Sequence, residues 1–134
     1  MNRKNIETFG LTEKAEKYLL KSKEFKRFPE LKIVEDFFQK YLSDFKERIP
    51  SNRIVHITGT NGKGSTTFYL SQFLQQAGYK CFSFFSPHVS EITERMLINQ
   101  DKITIEEMSR CIEWVEEKEN ESKAQLSFFE IMTM

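Results

Sequence analysis

The sequence predicts an α/β fold in which a parallel sheet is covered by helices and a helical segment leads into it. Three observations carry that prediction. Apolar residues recur at helical spacing as far as Pro50. Beyond it, two short runs rich in β-branched and aromatic residues, RIVHI and KCFSFF, flank a stretch with helical composition. Between the first run and that helix lies GTNGKGST, three glycines and a lysine in a strand-to-helix turn.

At 134 residues the chain is sized for one domain with a core of its own. Twenty basic and twenty acidic residues cancel, so no net field draws it to nucleic acid or a membrane surface. No apolar run approaches the ~18 residues of a membrane span. The start, MNRKNIETFG, lacks the apolar core of a signal peptide. Cys81 and Cys111 have no metal-type spacing and read as reduced thiols, which fits a cytoplasmic protein.

In chain order, Thr12 is a good N-cap for a helix bearing Ala15, Tyr18 and Leu19. Pro29 suits the first position of a second helix, with Leu31, Val34, Phe38, Tyr41, Leu42 and Phe45 on one face. After Pro50 the period changes, and Arg53–Ile57 reads as a strand. Ser65–Ala77 reads as a helix closed by Gly78, and Lys80–Phe85 as a second strand. Together these make a right-handed βαβ unit with a parallel pair. Ser86–Arg95 is a polar loop, Met96–Asn99 a short strand, and Asn99-Gln100-Asp101 a turn. Thr104 and Glu107 form a capping box for a helix with Ile105, Met108, Ile112 and Val115 on one face. Glu116–Ser122 reads as a charged linker. A last helix starts near Ser127, and LSFFEIMTM then leaves Phe128, Phe129, Ile131 and Met132 in need of a core.

A glycine-rich turn between strand and helix points unpaired amides at whatever sits before the helix, and the helix dipole makes that place suit phosphate. Lys63 adds a full positive charge, and Ser65 or Thr66 a hydroxyl for phosphate or Mg2+. The strict GxxxxGK[ST] pattern fails twice: residue 57 is isoleucine, and Gly64 separates Lys63 from Ser65. The physical parts nonetheless remain, so the fold expected is P-loop-type three-layer α/β/α.

GTNGKGST resembles the nucleotide loop of the folylpolyglutamate synthases and dihydrofolate synthases, ADP-forming amide ligases of the group that includes the muramyl peptide ligases. FFSPHVSEITERMLINQDKIT is similar to that family's Ser-Pro-His loop, and LSFFEIMTM to its Phe-Glu helix start; the three occur in the family's order. FGLTEKAEKYL is loosely similar to its N-terminal helix, whereas FPELKIVEDFF lacks its Leu-Gly-Asn-Pro turn.

The resemblance implies ATP-dependent addition of L-glutamate to folate or dihydropteroate through an acyl phosphate, with ATP and Mg2+ as cofactors. It implies that Gly59, Thr60, Asn61, Gly62, Lys63, Gly64, Ser65 and Thr66 hold the triphosphate. Lys63 would act catalytically on the β/γ oxygens, and Ser86 and Glu130 would ligate the metal. Family chains are several times longer. The sequence therefore reads as an N-terminal fragment, residues 1–50 a helical segment and 51–134 the start of a truncated ATP-binding domain. It is expected to be inactive alone, and monomeric when full length. The expected partners are small molecules, with no nucleic acid or membrane.

Each residue has a plainer alternative. Ser86 also starts a Ser-Pro turn, and Ser127–Glu130 is itself a capping box. His88 fits a solvent-facing loop and His56 a structural strand position. Glu94 and Arg95 fit an ion pair or an exposed couple, and Trp114 needs no cofactor to explain it. Two other functions stay open: a muramyl-type ligase with another acceptor, and a nucleotide-binding module without catalysis.

Overall fold

A computed structural model describes residues 9–22, 30–43 and 45–134. The chain divides into a first unit, Met1–Ile54 with Glu106–Met134, and a second, Val55–Ile105. In order it forms α1 (Glu13–Ser22), α2 (Leu31–Tyr41), α3 (Phe45–Arg48), α4 (Lys63–Gln76), β1 (Phe82–Phe84), β2 (Met96–Ile98), β3 (Asp101–Lys102), α5 (Ile105–Ser122) and α6 (Phe128–Thr133). Short 3-10 turns occupy Ser51–Arg53 and Ile92–Arg95. No helix among the described residues is long and apolar enough to cross a membrane.

The first unit is helical. Thr12 takes the N-cap position of α1, its carbonyl accepting the Glu16 amide at 2.9 Å. Its hydroxyl donates to Glu113 at 2.6 Å and its amide to Ser109 Oγ at 3.1 Å, so α5 is fastened to the start of α1. Ala15, Tyr18 and Leu19 are buried as their spacing predicts. In α2 the buried residue is Phe37, one position off the expected face, while Leu31 is exposed. Phe37 packs on Tyr41 and meets Trp114 edge-on, which accounts for the tryptophan. The Pro29 helix start lies outside the described residues.

The first unit is not continuous in the chain. The chain leaves the first unit at Ile54 and returns at Glu106, because α5 carries Met108, Ile112 and Val115 into that core. The charged stretch Glu116–Ser122 is not a linker but the end of α5. Its residues are good helix formers, and Lys118 binds Glu117 and, one turn on, Glu121. The apolar end of the chain also finds a core. Ile131 and Met132 are buried, Phe128 stacks on Phe9, and only Phe129 of the four is exposed.

The second unit holds α4, the three strands and the 92–95 turn. The sheet has the order β1-β2-β3 and both pairings are antiparallel, Phe82 opposite Ile98 and Leu97 opposite Lys102. The parallel pair expected between Arg53–Ile57 and Lys80–Phe85 is not among the described strands. Residues 54–58 carry no ladder, and Ile54 and Val55 are more than half exposed. β1 pairs with β2, the strand that follows it in sequence. Asn99 and Gln100 form the two-residue β2–β3 turn with φ of 49° and 75°, the positive values a tight hairpin requires. Asn99 Oδ1 also accepts the Cys81 amide at 2.9 Å, closing the edge of β1.

Candidate functional site

Gly62 is the N-cap of α4 and adopts left-handed φ 77°, ψ −3°, with no side chain to cap the helix. The first rung of α4 runs from the Thr66 amide to Gly62 O at 2.9 Å. The amides of Lys63, Gly64 and Ser65 precede that rung and so lack intrahelical acceptors. All of Thr60–Thr66 is exposed.

Lys63 is the first residue of α4, the least favourable end for a cation, and no acidic residue occupies the first turn. The starts of α1, α5 and α6 all carry glutamates there. The Lys63 ammonium turns back over the loop, donating to Gly59 O at 2.6 Å and Thr60 O at 3.1 Å. One of its three protons remains available to an anion. Positive charge, free amides and a glycine cap therefore converge on one exposed end, an arrangement that a phosphate would relieve.

The 86–95 loop is tied to this end of α4. A Cβ placed on Gly64 would lie 3.9 Å from the Phe85 ring, so the residue preceding Ser86 rests against the start of the helix. The Phe85 amide donates to Arg95 O at 2.8 Å and closes the base of the loop. Glu94 and Arg95 turn out to hold different parts of the loop. The Glu94 carboxylate accepts the amides of Val89 at 2.8 Å and Ser90 at 3.2 Å, which hold its carboxyl below the usual carboxylate range. Arg95, 6% exposed, donates from Nε to His88 Nδ1 at 2.8 Å and from Nη1 to Ser86 Oγ at 3.3 Å. Burial pushes its guanidinium down from its usual value. His88 is therefore a bonded member of the loop, whereas His56 lies exposed in the unpaired 54–58 segment.

Ser86 suits a metal contact in part. Accepting one bond from Arg95 leaves its oxygen a second lone pair and its own proton. Glu130 does not suit one as it stands. It is fully buried in the first unit and accepts the Glu30 amide at 2.8 Å, the Ser127 amide at 2.7 Å and the Ser127 hydroxyl at 2.7 Å. The capping box is complete in both directions. Ser86 and Glu130 belong to different units. Among the described residues no group of three or more His, Cys, Asp and Glu side chains gathers to hold a metal ion.

Periodicity gave no sign of Arg95, because its partners are fixed by the path of the loop. The signal available was an arginine directly after a glutamate in a loop that also holds a histidine.

No family model matches the chain. It is 36% identical over 83 residues to a dihydrofolate synthetase of Saccharomyces cerevisiae, which covers 62% of this chain and 19% of that protein. Its fold superposes on a folylpolyglutamate synthase of Thermotoga maritima with a TM-score of 0.71 and 32% identity, over 87% of this chain and 27% of that one. A solved bifunctional folylpolyglutamate synthase/dihydrofolate synthase, with Mn, AMPPNP and L-glutamate bound, matches with a TM-score of 0.75 and 26% identity over 89% of this chain and 28% of its own. The chain thus spans about a fifth of the curated relative and just over a quarter of the solved ones. Sequence and fold both bear out the resemblance carried by the three segments.

Proposed function

We propose that this chain, a relative of the folylpolyglutamate synthases and dihydrofolate synthases, binds the triphosphate of ATP at Gly59–Thr66. It does so as part of an ADP-forming ligase that joins L-glutamate to folate or dihydropteroate. One observation carries the reading: an exposed, uncapped start of α4 with Lys63 at its first position and no acidic neighbour. In a turn that only reversed the chain, the bonds of that lysine to Gly59 O and Thr60 O would be set against a helix dipole that it opposes at a cost of roughly 0.3–1 kcal/mol.

Phosphoryl transfer asks mainly for positioning and charge neutralisation. The amides of Lys63, Gly64 and Ser65 supply donors, and the Lys63 ammonium supplies charge. Thr60, Asn61 and Thr66 border the phosphates, and Gly59 and Gly62 provide the backbone shape. When bound, Mg·ATP supplies the phosphoryl group that activates the acceptor carboxylate. Ser86 would offer the metal a lone pair from the loop resting on Gly64. Glu130 would have to give up its cap to do the same.

Because the chain spans 19% of the curated relative and 27% of the Thermotoga maritima chain, ligation is proposed for a polypeptide that also carries the remainder. The 134 residues supply the nucleotide end. A narrower reading, nucleotide binding without ligation, is favoured by the location of the whole loop within residues 55–105. The test is calorimetric titration with Mg·ATP, followed by an ADP-release assay with glutamate and folate, dihydropteroate or a muramyl peptide. Saturable binding without turnover is expected of the 134 residues, and folate- or dihydropteroate-dependent turnover of the longer polypeptide. Absence of Mg·ATP binding contradicts the nucleotide reading. Turnover confined to the muramyl peptide contradicts the folate assignment.

A further inference from the structure

A second charged group in this unit, like Lys63, is bonded to its own loop. Arg95 is 6% exposed. Enclosing a guanidinium is unfavourable unless its donors are satisfied, and two of the Arg95 bonds point to a role. Its neighbour Glu94 is committed to the Val89 and Ser90 amides. Two nitrogens of the guanidinium instead reach the two polar residues of Ser86-Pro87-His88, the Nε bond to His88 being short at 2.8 Å and the Nη1 bond to Ser86 longer at 3.3 Å. The Arg95 carbonyl meanwhile accepts the Phe85 amide. One residue thus holds the base of the loop by its backbone and the Ser86–His88 end by its side chain.

We propose that Arg95 is a positioning residue that holds the Ser86 hydroxyl and the His88 ring in a fixed arrangement beside the start of α4. The proposal rests on the reading of that helix start as the nucleotide site. An arginine has only donors, so each partner is left in one chemical state. His88 must present Nδ1 as an acceptor and carry its proton on Nε2. Ser86 Oγ is left one lone pair for a metal and its own proton for a phosphate or carboxylate oxygen. Because both donors lie in one rigid plane, the separation of the two partners is set as well. A lysine at residue 95 would keep the charge and lose that geometry.

Two measurements test this on the 134-residue chain. In the free protein, 1H–15N spectra are expected to show an Arg95 Nε–H protected from solvent exchange, with protection lost in His88→Ala. The β1–β2 amide pattern serves as the control for folding. An Nε–H exchanging like a free guanidinium overturns the proposal. In Mg·ATP titrations, Arg95→Lys is expected to weaken affinity about tenfold in the parent and less than twofold in a Ser86→Ala background. Equal losses in both backgrounds would show a structural role only, and full affinity in Arg95→Lys would show that charge alone suffices; either overturns the positioning role. A parent chain that binds no Mg·ATP contradicts the nucleotide reading, and the exchange measurement then decides by itself whether Arg95 holds the loop.

Discussion

The starts of α6 and α4 each carry a charged side chain, and the surroundings of the two differ at every point. At α6, Ser127 caps the helix, Glu130 complements the dipole, and the carboxylate is buried with amides and a hydroxyl bonded to it. At α4, a glycine with left-handed φ stands in the cap position, Lys63 opposes the dipole, and the leading amides face solvent. The first end is closed by its own residues. The second is left for something else to close. Both charged residues resemble family site positions, yet Lys63 is exposed and Glu130 is buried.

The largest expected effect breaks the closed end. Glu130→Ala strands the Glu30 and Ser127 amides, each a loss of about 1–3 kcal/mol, and should lower the stability of the first unit by about 3 kcal/mol in chemical denaturation. Mg·ATP affinity should stay within twofold. A fall in affinity with stability intact would restore the metal role and remove the contrast.

Lys63→Ala should do the reverse. A charge-assisted bond to phosphate contributes about 1.5–3 kcal/mol, so ATP affinity should drop roughly tenfold to a hundredfold. Stability should hold or rise by a few tenths of a kcal/mol, since an unfavourable charge–dipole contact is removed. A marked loss of stability would mean that the bonds to Gly59 and Thr60 are the purpose of the lysine.

A smaller effect separates two glycines of one loop. A side chain at Gly62 is strained by its φ of 77°, at about 1–2 kcal/mol. At Gly64 the φ is ordinary, and an added Cβ would make only van der Waals contact with Phe85. Gly62→Ala should therefore destabilise, whereas Gly64→Ala should fold normally and bind nucleotide less well if the backbone approaches phosphate there. Thermal melts and titrations on the pair will show whether the two effects separate.

The smallest effect is one of pH. The Glu94 carboxyl is held below its usual range by the Val89 and Ser90 amides. Its contribution to loop order is present above the ordinary carboxylate range and lost as pH falls through the lower folded value. Amide exchange at Val89 and Ser90 should accelerate only in that acidic window, and Glu94→Gln should flatten the profile.

What was legible in the sequence was mostly local. The Ser127–Glu130 capping box and the Asn99–Gln100 turn each depend on residues within a few positions and are present, and the glycine-turn helix begins at Lys63 rather than at the expected Ser65. Non-local arrangements were not legible. The parallel pairing of residues 53–57 required a partner chosen by tertiary contacts, and the described strands pair only β1 with β2 and β2 with β3. The charged run at the end of α5 looked like a linker because Lys118–Glu121 pairing shows only once a helix is assumed. Ile131 and Met132 looked orphaned because α1, which α6 meets, lies more than a hundred residues earlier. The same limit hid the partners of Arg95. A buried cation is inferred from where a loop turns, and composition carries no trace of that.

The difference between the two helix starts is tested most directly by following backbone amides in 1H–15N spectra while Mg·ATP is added. The account predicts that Lys63, Gly64 and Ser65 shift together and saturate on one binding curve, while the amides of Ser127, Phe128 and Glu130 stay in place. Shifts confined to the start of α6, or none at Lys63, Gly64 and Ser65 up to millimolar Mg·ATP, would contradict it.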